Sequence, residues 1–273
     1  MSVTTEYSGI VHGLDELEYH RLPGLSSTGA KRILRSPAHY QWEMQHRVEK
    51  AAYDFGHAVH ALVLGTGLDI VEIDAEDWRS KAARDERAAA YAEGKVPLLT
   101  KDAKRARAAA AAVERHPIAG PLFQRGNPEV SMFWTDEATG VQCRGRLDWL
   151  RLSGRPLIVD LKTTDNADPR AFGRTAASFG YDLQTEFYTQ GYEAITGERL
   201  PFLHVLVETE QPHAVSVVQL DDEALRIGAI KVRAALERYR DCTASGIWPA
   251  YDPTTIHPVS LPRWAAYDAE DYQ

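Results

Sequence analysis

The sequence predicts a single α/β domain with a helical N-terminal elaboration. Two observations carry that expectation. Apolar residues recur at helical spacing through the first half, and near residue 128 the period switches from 3.6 to 2. No linker-like stretch divides the 273 residues, 44% of which are hydrophobic, enough for one sizeable core.

The formal net charge is −8, which argues against a protein coated with positive charge. A basic groove can still coexist with an acidic remainder. Cys143 and Cys242 form neither a C-x-x-C pair nor a disulfide framework, which suits a reducing cytosol. The start "MSVTTEYSGI" lacks a basic-then-apolar signal pattern, and no apolar run approaches the ~20 residues that span a bilayer.

Taken in order, the first 25 residues read as loosely ordered around Pro23-Gly24. "SSTGAKRILRSPAHYQWEMQ" reads as two short helices. Ser26 or Ser27 can cap the first, and Ser36 followed by Pro37 marks the start of the second. "YDFGHAVHALVLG" is a mostly buried helix over residues 55–64, followed by a short strand, "DIVEID". Polar, alanine-rich helices follow over residues 80–93 and 102–114, with Thr100 as cap of the second. "PEVSMFWT", "VQCRGRLDWLRL" and "PLIVDLKTT" then form a three-strand meander, turned at Thr139-Gly140 and at "SGR". A helix starts near Pro169. A second, "DLQTEFYTQGYEAITG", stops at Gly197. Strands "FLHVLVET" and "HAVSVVQL" precede a long amphipathic helix, "DDEALRIGAIKVRAALERYRDC". The tail after Trp248 reads as irregular and ends acidic at Glu270 and Asp271.

The chemistry concentrates where charge enters an apolar strand. Asp160 and Lys162 interrupt Leu157, Ile158, Val159 and Leu161, and a buried charge costs several kcal/mol unless it is paired or binds a metal. With the turn centred on Gly154, opposed residues sum to 308 and Asp148 lies across from Asp160. Opposed side chains on one face lie ~5 Å apart at Cβ, and Lys162 and Arg146 share that face. Two carboxylates so close repel, and a hard divalent cation resolves the repulsion. On charge alone, removing Asp160 should relieve that repulsion and spare the fold. The blander reading is a hairpin salt bridge from Lys162 to either aspartate. Metal-assisted phosphodiester hydrolysis uses the same groups: cation to activate water, ammonium to assist.

The motifs occur in a telling order. Gly56 stands four residues before His60, G-x-x-D runs from Gly145 to Asp148, D-x-K is Asp160 and Lys162, and Q-x-x-x-Y is Gln184 and Tyr188. In this the chain resembles the PD-(D/E)xK nuclease superfamily in its RecB-like branch, and more narrowly the RecE-type phage and prophage exonucleases. "LSSTGAKRILRSPAHY" resembles the N-terminal helix of that group, and the match spans roughly residues 25–245. Leu147 replaces the proline of "PD", which is usual in this branch; two cysteines exclude the four-cysteine iron–sulfur cluster of some members. No G-x-x-x-x-G-K-[ST] supplies an ATP motor.

The resemblance implies a restriction-endonuclease-like mixed central sheet flanked by helices. Residues 26–250 form the nuclease domain, helical over 26–125 and sheet-bearing over 126–250, between an N-terminal segment 1–25 and a tail 251–273. It implies Mg²⁺, with Mn²⁺ as an alternative, and ATP-independent digestion of linear duplex DNA from its 5′ ends, leaving 3′ overhangs. A ring-like homo-oligomer, a single-strand-annealing partner and the cytoplasm of a bacterial host follow from the same resemblance. Asp148 and Asp160 would ligate metal, with the Leu161 carbonyl as a further ligand, and Lys162 would assist the attacking water. His60 would complete the metal shell or contact phosphate, against a plain core histidine; His57 is the weaker of the two. Gln184 and Tyr188 would hold phosphate or orient Lys162, against ordinary helix packing. Glu129 is either a further acid of the family or a solvated strand end. DNA contacts are expected from Lys31, Arg32 and Arg35 on one helix, from Lys101, Lys104, Arg105 and Arg107 on another, and from Arg144 and Arg146 beside the site. Tyr40 and Trp42 could stack on an unpaired end or pack in the core. Two competing readings are a structure-specific or restriction-type endonuclease, and a nuclease-fold DNA-binding protein without activity; the intact Asp148, Asp160 and Lys162 set argues against the second.

Overall fold

A computed structural model describes residues 7–46 and 54–261; the acidic chain end, Glu270 and Asp271, lies outside them. The first half runs β1 (Gly9–Val11), α1 (Glu16–Arg21), α2 (Ser27–Arg35), α3 (Pro37–Gln45), α4 (Asp54–Leu64), β2 (Ile70–Ile73), α5 (Lys81–Ala92), β3 (Val96–Leu99), α6 (Thr100–Arg115) and α7 (Ala119–Leu122). The second half runs β4 (Asn127–Thr135), β5 (Gln142–Arg151), β6 (Leu157–Thr164), α8 (Pro169–Phe179), α9 (Tyr181–Thr196), β7 (Phe202–Glu208), β8 (Val215–Val218) and α10 (Asp222–Ser245).

Six strands form the central sheet in the order β1-β4-β5-β6-β7-β8. Only β6 and β7 pair parallel, so the sheet is mixed, as expected. The β5–β6 hairpin has the register read from its turn, with Trp149↔Val159, Leu150↔Ile158 and Arg151↔Leu157. Alternation along β6 then assigns faces. Leu157, Val159 and Leu161 pack with Ala58 and Val59 of α4 and the alanine stripe of α6. Ile158 packs on the opposite face with Leu150, Phe202 and Tyr192 of α9. A third cluster joins Ile33 of α2, Leu183 and Phe187 of α9, and Val232 and Leu236 of α10. The site-bearing strands are thus held between α4 and α9, and α2 rides on α9.

Several local expectations need correction. Residues 7–25 are not loose: Gly9–Val11 adds an antiparallel edge strand to β4, and Asp15 caps α1 by accepting from the Glu18 N–H at 2.9 Å. Ser26 does cap α2, accepting from the Gly29 N–H at 3.1 Å. Ser36 does hold the N-cap position of α3, with Pro37 in the first turn, but its hydroxyl donates to the Pro249 carbonyl and not to the helix end. Thr100 lies inside α6, and its hydroxyl donates to the Ile73 carbonyl. Residues 96–99 were not read as a strand, yet they pair parallel with β2. Proline within "VPLL" is compatible with so short a two-stranded edge.

One close approach fixes α9. At Gly228 of α10 an added Cβ would come within 2.7 Å of the Asp182 carbonyl carbon, a backbone atom that cannot swing away. Gly228→Ala should therefore pry α10 from α9 and destabilise by about 1–3 kcal/mol, as overpacking does. Calorimetry would check this; an unchanged melting temperature would contradict the close helix contact.

Candidate active site

The strand β5 delivers Asp148 where its ladder to β6 ends. Beyond Trp149↔Val159 the strands part, and the Asp148 Oδ2 accepts the Leu161 N–H at 2.8 Å, in place of a backbone partner. On the other side, β4 skips a pair. Pro128↔Trp149 and Val130↔Leu147 are in register, but Glu129 between them has φ of 50°. A non-glycine residue in the left-handed region costs about 1–3 kcal/mol, and such strain gathers at functional sites. Here it turns the Glu129 carboxylate toward Asp148. Gly56 of α4, where a Cβ would meet Thr163 Oγ1 at 3.3 Å, lets the helix approach β6. One turn later, His60 Nδ1 stands 3.6 Å from Asp148 Oδ2. His57 is exposed.

Donor atoms of His60, Glu129 and Asp148 all lie within 4.8 Å of one another. The set fits a divalent cation: one imidazole and two carboxylates whose ionised forms burial penalises. Burial, then the Asp160 charge, raise the Asp148 pKa despite His60 and Lys162. Burial, then Asp148, raise that of Glu129, although Arg146 Nε sits 2.5 Å from its Oε2. A hard cation removes both penalties. Glu129 thus belongs to the acidic cluster and is not a solvated strand end.

Asp160 is placed differently from Asp148. It is 1% exposed and faces α9, its carboxylate saturated. Oδ2 pairs with Lys162 Nζ at 2.6 Å and with His204 Nδ1 at 3.1 Å, while Oδ1 accepts from Gln184 Nε2 at 2.9 Å. Burial pushes the Asp160 pKa up, but Lys162 and His204 outweigh it and hold it below the usual carboxylate range. Lys162 is likewise penalised by burial, yet Asp160 and Asp148 raise its pKa, so it is an ammonium. The two acids thus have different partners: Asp160 meets Lys162, His204 and Gln184, whereas Asp148 turns to the Leu161 N–H and lies with the His60 and Glu129 donors.

Gln184 orients Asp160 and not Lys162. Its Oε1 accepts from Lys31 Nζ of α2 at 3.5 Å. Burial, then the Lys162 charge, lower the Lys31 pKa to about 8. Tyr188, one turn further, accepts from the Ser27 hydroxyl at 3.2 Å. Its ring lies 3.0 Å from where a Gly145 Cβ would be, which explains glycine at the head of G-x-x-D. Ser27 and Lys31, four apart on α2, thus meet Tyr188 and Gln184, four apart on α9.

The other basic residues divide. Arg146 lies at the site, and its Nη1 is buried with no hydrogen-bond partner among the described residues. Arg35 is exposed, whereas Arg32 pairs with Glu43 at 2.6 Å. Arg144 does not flank the site as a free cation: it is 6% exposed and its guanidinium donates to the carbonyls of Tyr19 and Gly24, tying α1 to β5. Arg105 and Arg107 of α6 are engaged by Asp102, Glu210 and Glu72. Tyr40 is core, stacked on Trp248 at 5.6 Å, while Trp42 is exposed.

His204 is the residue that sequence reading missed. It is fully buried, and its Nε2 meets the Thr185 hydroxyl at 3.0 Å. Its only signal is a polar residue inside "FLHVLV", set opposite Asp160 by the parallel β6–β7 register.

The profile of a PDDEXK-like domain of unknown function (DUF3799) matches residues 26–254. The chain belongs to this PDDEXK-like family. No curated protein matches it in sequence. Among solved structures, the chain is similar to a provisionally named exonuclease from Eubacterium rectale, with a TM-score of 0.64 and 15% identity, covering 94% of this chain and 98% of that one. That likeness shows the fold. A phage-related exonuclease from Haemophilus somnus matches with a TM-score of 0.33 and 12% identity, over 82% of this chain and 97% of that one, a level that carries no argument. The mixed sheet flanked by helices is that of PD-(D/E)xK nucleases. No helix among the described residues is long and apolar enough to cross a membrane.

The electrostatics give a pH prediction for the metal-free protein. Between the ordinary carboxylate range and the raised Asp148 value, the folded state binds the proton more tightly than the unfolded chain. Stability should therefore fall as pH rises through that window. Mg²⁺ should raise the melting temperature above it by mass action. Melting curves in EDTA and in Mg²⁺ check this; curves that coincide at every pH would contradict a cation site here.

Proposed function

We propose that this protein is a metal-dependent nuclease that hydrolyses phosphodiester bonds of DNA. More narrowly, we propose a RecE-type, ATP-independent exonuclease acting on ends of linear duplex. The observation that carries the reading is a half-buried ammonium, Lys162, beside the His60, Glu129 and Asp148 cluster.

Mg²⁺, or Mn²⁺, supplies Lewis-acid stabilisation of the phosphoryl oxygens and a water more acidic than bulk. His60, Glu129 and Asp148 would hold it, with Asp160 and the Leu161 carbonyl as further ligands. Because the Lys162 pKa is raised, Lys162 serves as a hydrogen-bond donor toward the attacking water and the developing phosphorane charge, not as a base. Gln184 and His204 hold Asp160 in orientation beside Lys162. Arg146 and Lys31 offer donors to the DNA phosphates. Tyr188, through Gly145, holds the strand that carries Asp148.

The finer part of the reading concerns the substrate. We assign digestion of 5′-ended strands, leaving 3′ overhangs for a single-strand-annealing partner in a phage-type recombination system in the bacterial cytoplasm. A ring of three or four subunits would retain DNA topologically, since an acidic chain has little general attraction for it and salt weakens what it has. The test compares linear with closed-circular duplex, and 5′- with 3′-labelled ends, alongside light scattering for mass. Linear-only digestion releasing the 5′ label from an oligomer supports the reading. Cleavage of the circle would establish the endonuclease alternative, and a monomer or first release of the 3′ label would remove the ring or the polarity.

A further inference from the structure

An aromatic run leads from the core beneath Asp160 to open solvent. Phe172 of α8 is buried against His204, with ring centroids 5.3 Å apart. Tyr181, the first residue of α9, stacks on Phe172 at 6.0 Å and 19°. Phe179, the last residue of α8, stacks on Tyr181 at 5.8 Å and 18°. The junction between them is Gly180, in the left-handed region at φ 66°, which reverses the chain so that residues 179 and 181 can lie ring to ring. Phe179 is 63% exposed, although Phe172 and Tyr181 already close the core below it. The run passes directly by the catalytic charges, because Lys162 Nζ lies 5.0 Å and Lys31 Nζ 5.4 Å from the Tyr181 ring centre.

The geometry points to a nucleobase-stacking subsite: we propose that the exposed face of Phe179 receives an unpaired base of the DNA end whose phosphodiester sits at Lys162. This rests on the nuclease reading above. The occupant follows from the chemistry of the neighbour. A phosphodiester drawn to the two ammoniums carries its nucleoside within one nucleotide of Tyr181. A phosphate gains nothing on an apolar ring, whereas any base has a π-face to offer it, irrespective of sequence. The stack beneath is fixed in place by the buried Phe172, so little side-chain freedom remains to be lost on binding. The same placement favours a frayed or single-stranded end over an intact base pair, because a paired base already stacks within its own duplex.

The experiment measures affinity by fluorescence anisotropy, with Ca²⁺ in place of Mg²⁺. The DNA is a duplex with a short single-stranded end, either intact or carrying abasic sites at its two terminal positions. Wild-type protein, Phe179→Ala and Phe179→Trp are compared, each also weighed by light scattering. Wild-type protein should lose roughly tenfold or more in affinity on the abasic end, by the usual worth of one stacked base. Phe179→Ala should show that loss on intact DNA and no further loss on abasic DNA, because ring and base are two halves of one contact. Phe179→Trp should recover the preference. Losses that multiply, or a Phe179→Ala protein that still tells intact from abasic ends, would overturn the subsite while leaving the nuclease reading in place. A change in mass on Phe179→Ala, with no sensitivity to abasic sites, would reassign the ring to a subunit contact. A wild-type protein that neither binds nor cuts either DNA removes the subsite together with the nuclease reading.

Discussion

Asp160→Ala is expected to abolish hydrolysis and also to destabilise the metal-free protein, by about 3–5 kcal/mol. The second effect reverses what charge counting on the hairpin implies. If Asp148 and Asp160 simply repelled each other, deleting one would relieve the fold. The structure gives Asp160 three partners, Lys162, His204 and Gln184, all within 3.1 Å. Its removal leaves a half-buried ammonium without its counter-charge, and a buried imidazole and amide without their acceptor. For a domain of this size the loss corresponds to a melting temperature lower by about ten degrees. The pH dependence has a defined sign. The Asp160 pKa is depressed in the fold, so its contribution is present above the unfolded carboxylate pKa and is lost as pH falls through the folded value. Asp148→Asn should do the opposite and stabilise the metal-free protein at neutral pH, since burial and the Asp160 charge make the ionised form of Asp148 the costly one. Melting both variants in EDTA decides the matter: equal behaviour of the two would contradict the different placements of the two acids.

Lys162→Met is expected to lower kcat by a factor on the order of 10²–10³, with a smaller change in DNA affinity. Its ammonium is 2.6 Å from Asp160 Oδ2. On the proposed mechanism the ammonium stabilises charge that develops only in the transition state, so its loss is felt in the chemical step more than in binding. Methionine keeps the stem and removes the charge. Lys162→Arg should not restore activity, because a planar fork does not match a point donor inside this pocket. Single-turnover rates and affinities of the three proteins provide the readout. Collapse of affinity with an intact kcat would make Lys162 a phosphate clamp instead.

Much of the site was legible because its spacing is local. The hairpin register followed from the turn at Gly154 and the two-residue period of "LIVDLK", and it placed Asp148, Asp160 and Lys162 around one point. Gln184 and Tyr188 could be paired because residues four apart share a helix face. What sequence could not supply was side-chain direction where regular pairing fails. Asp148 turns to the Leu161 N–H because the ladder has ended, and Glu129 faces Asp148 through a φ of 50° that no propensity foretells. Contacts between distant segments were equally hidden. His204 reaches Asp160 through a parallel pairing across a 44-residue separation. Ser27 and Lys31 reach α9 only because α2 folds back over it. Arg144 reads as a site cation from its neighbours in sequence, but the Tyr19 and Gly24 carbonyls it binds come from a segment that reads as loose.

The central claim is that the cluster around Asp148 and Lys162 hydrolyses DNA with a divalent cation. End-labelled linear duplex, incubated with wild-type and Asp148→Asn protein in Mg²⁺ and in EDTA, tests it most directly. The account predicts release of labelled nucleotides by the wild-type protein in Mg²⁺ alone, and none in EDTA or from Asp148→Asn. Undigested duplex with wild-type protein in Mg²⁺, or digestion that persists in EDTA or in Asp148→Asn, would contradict it.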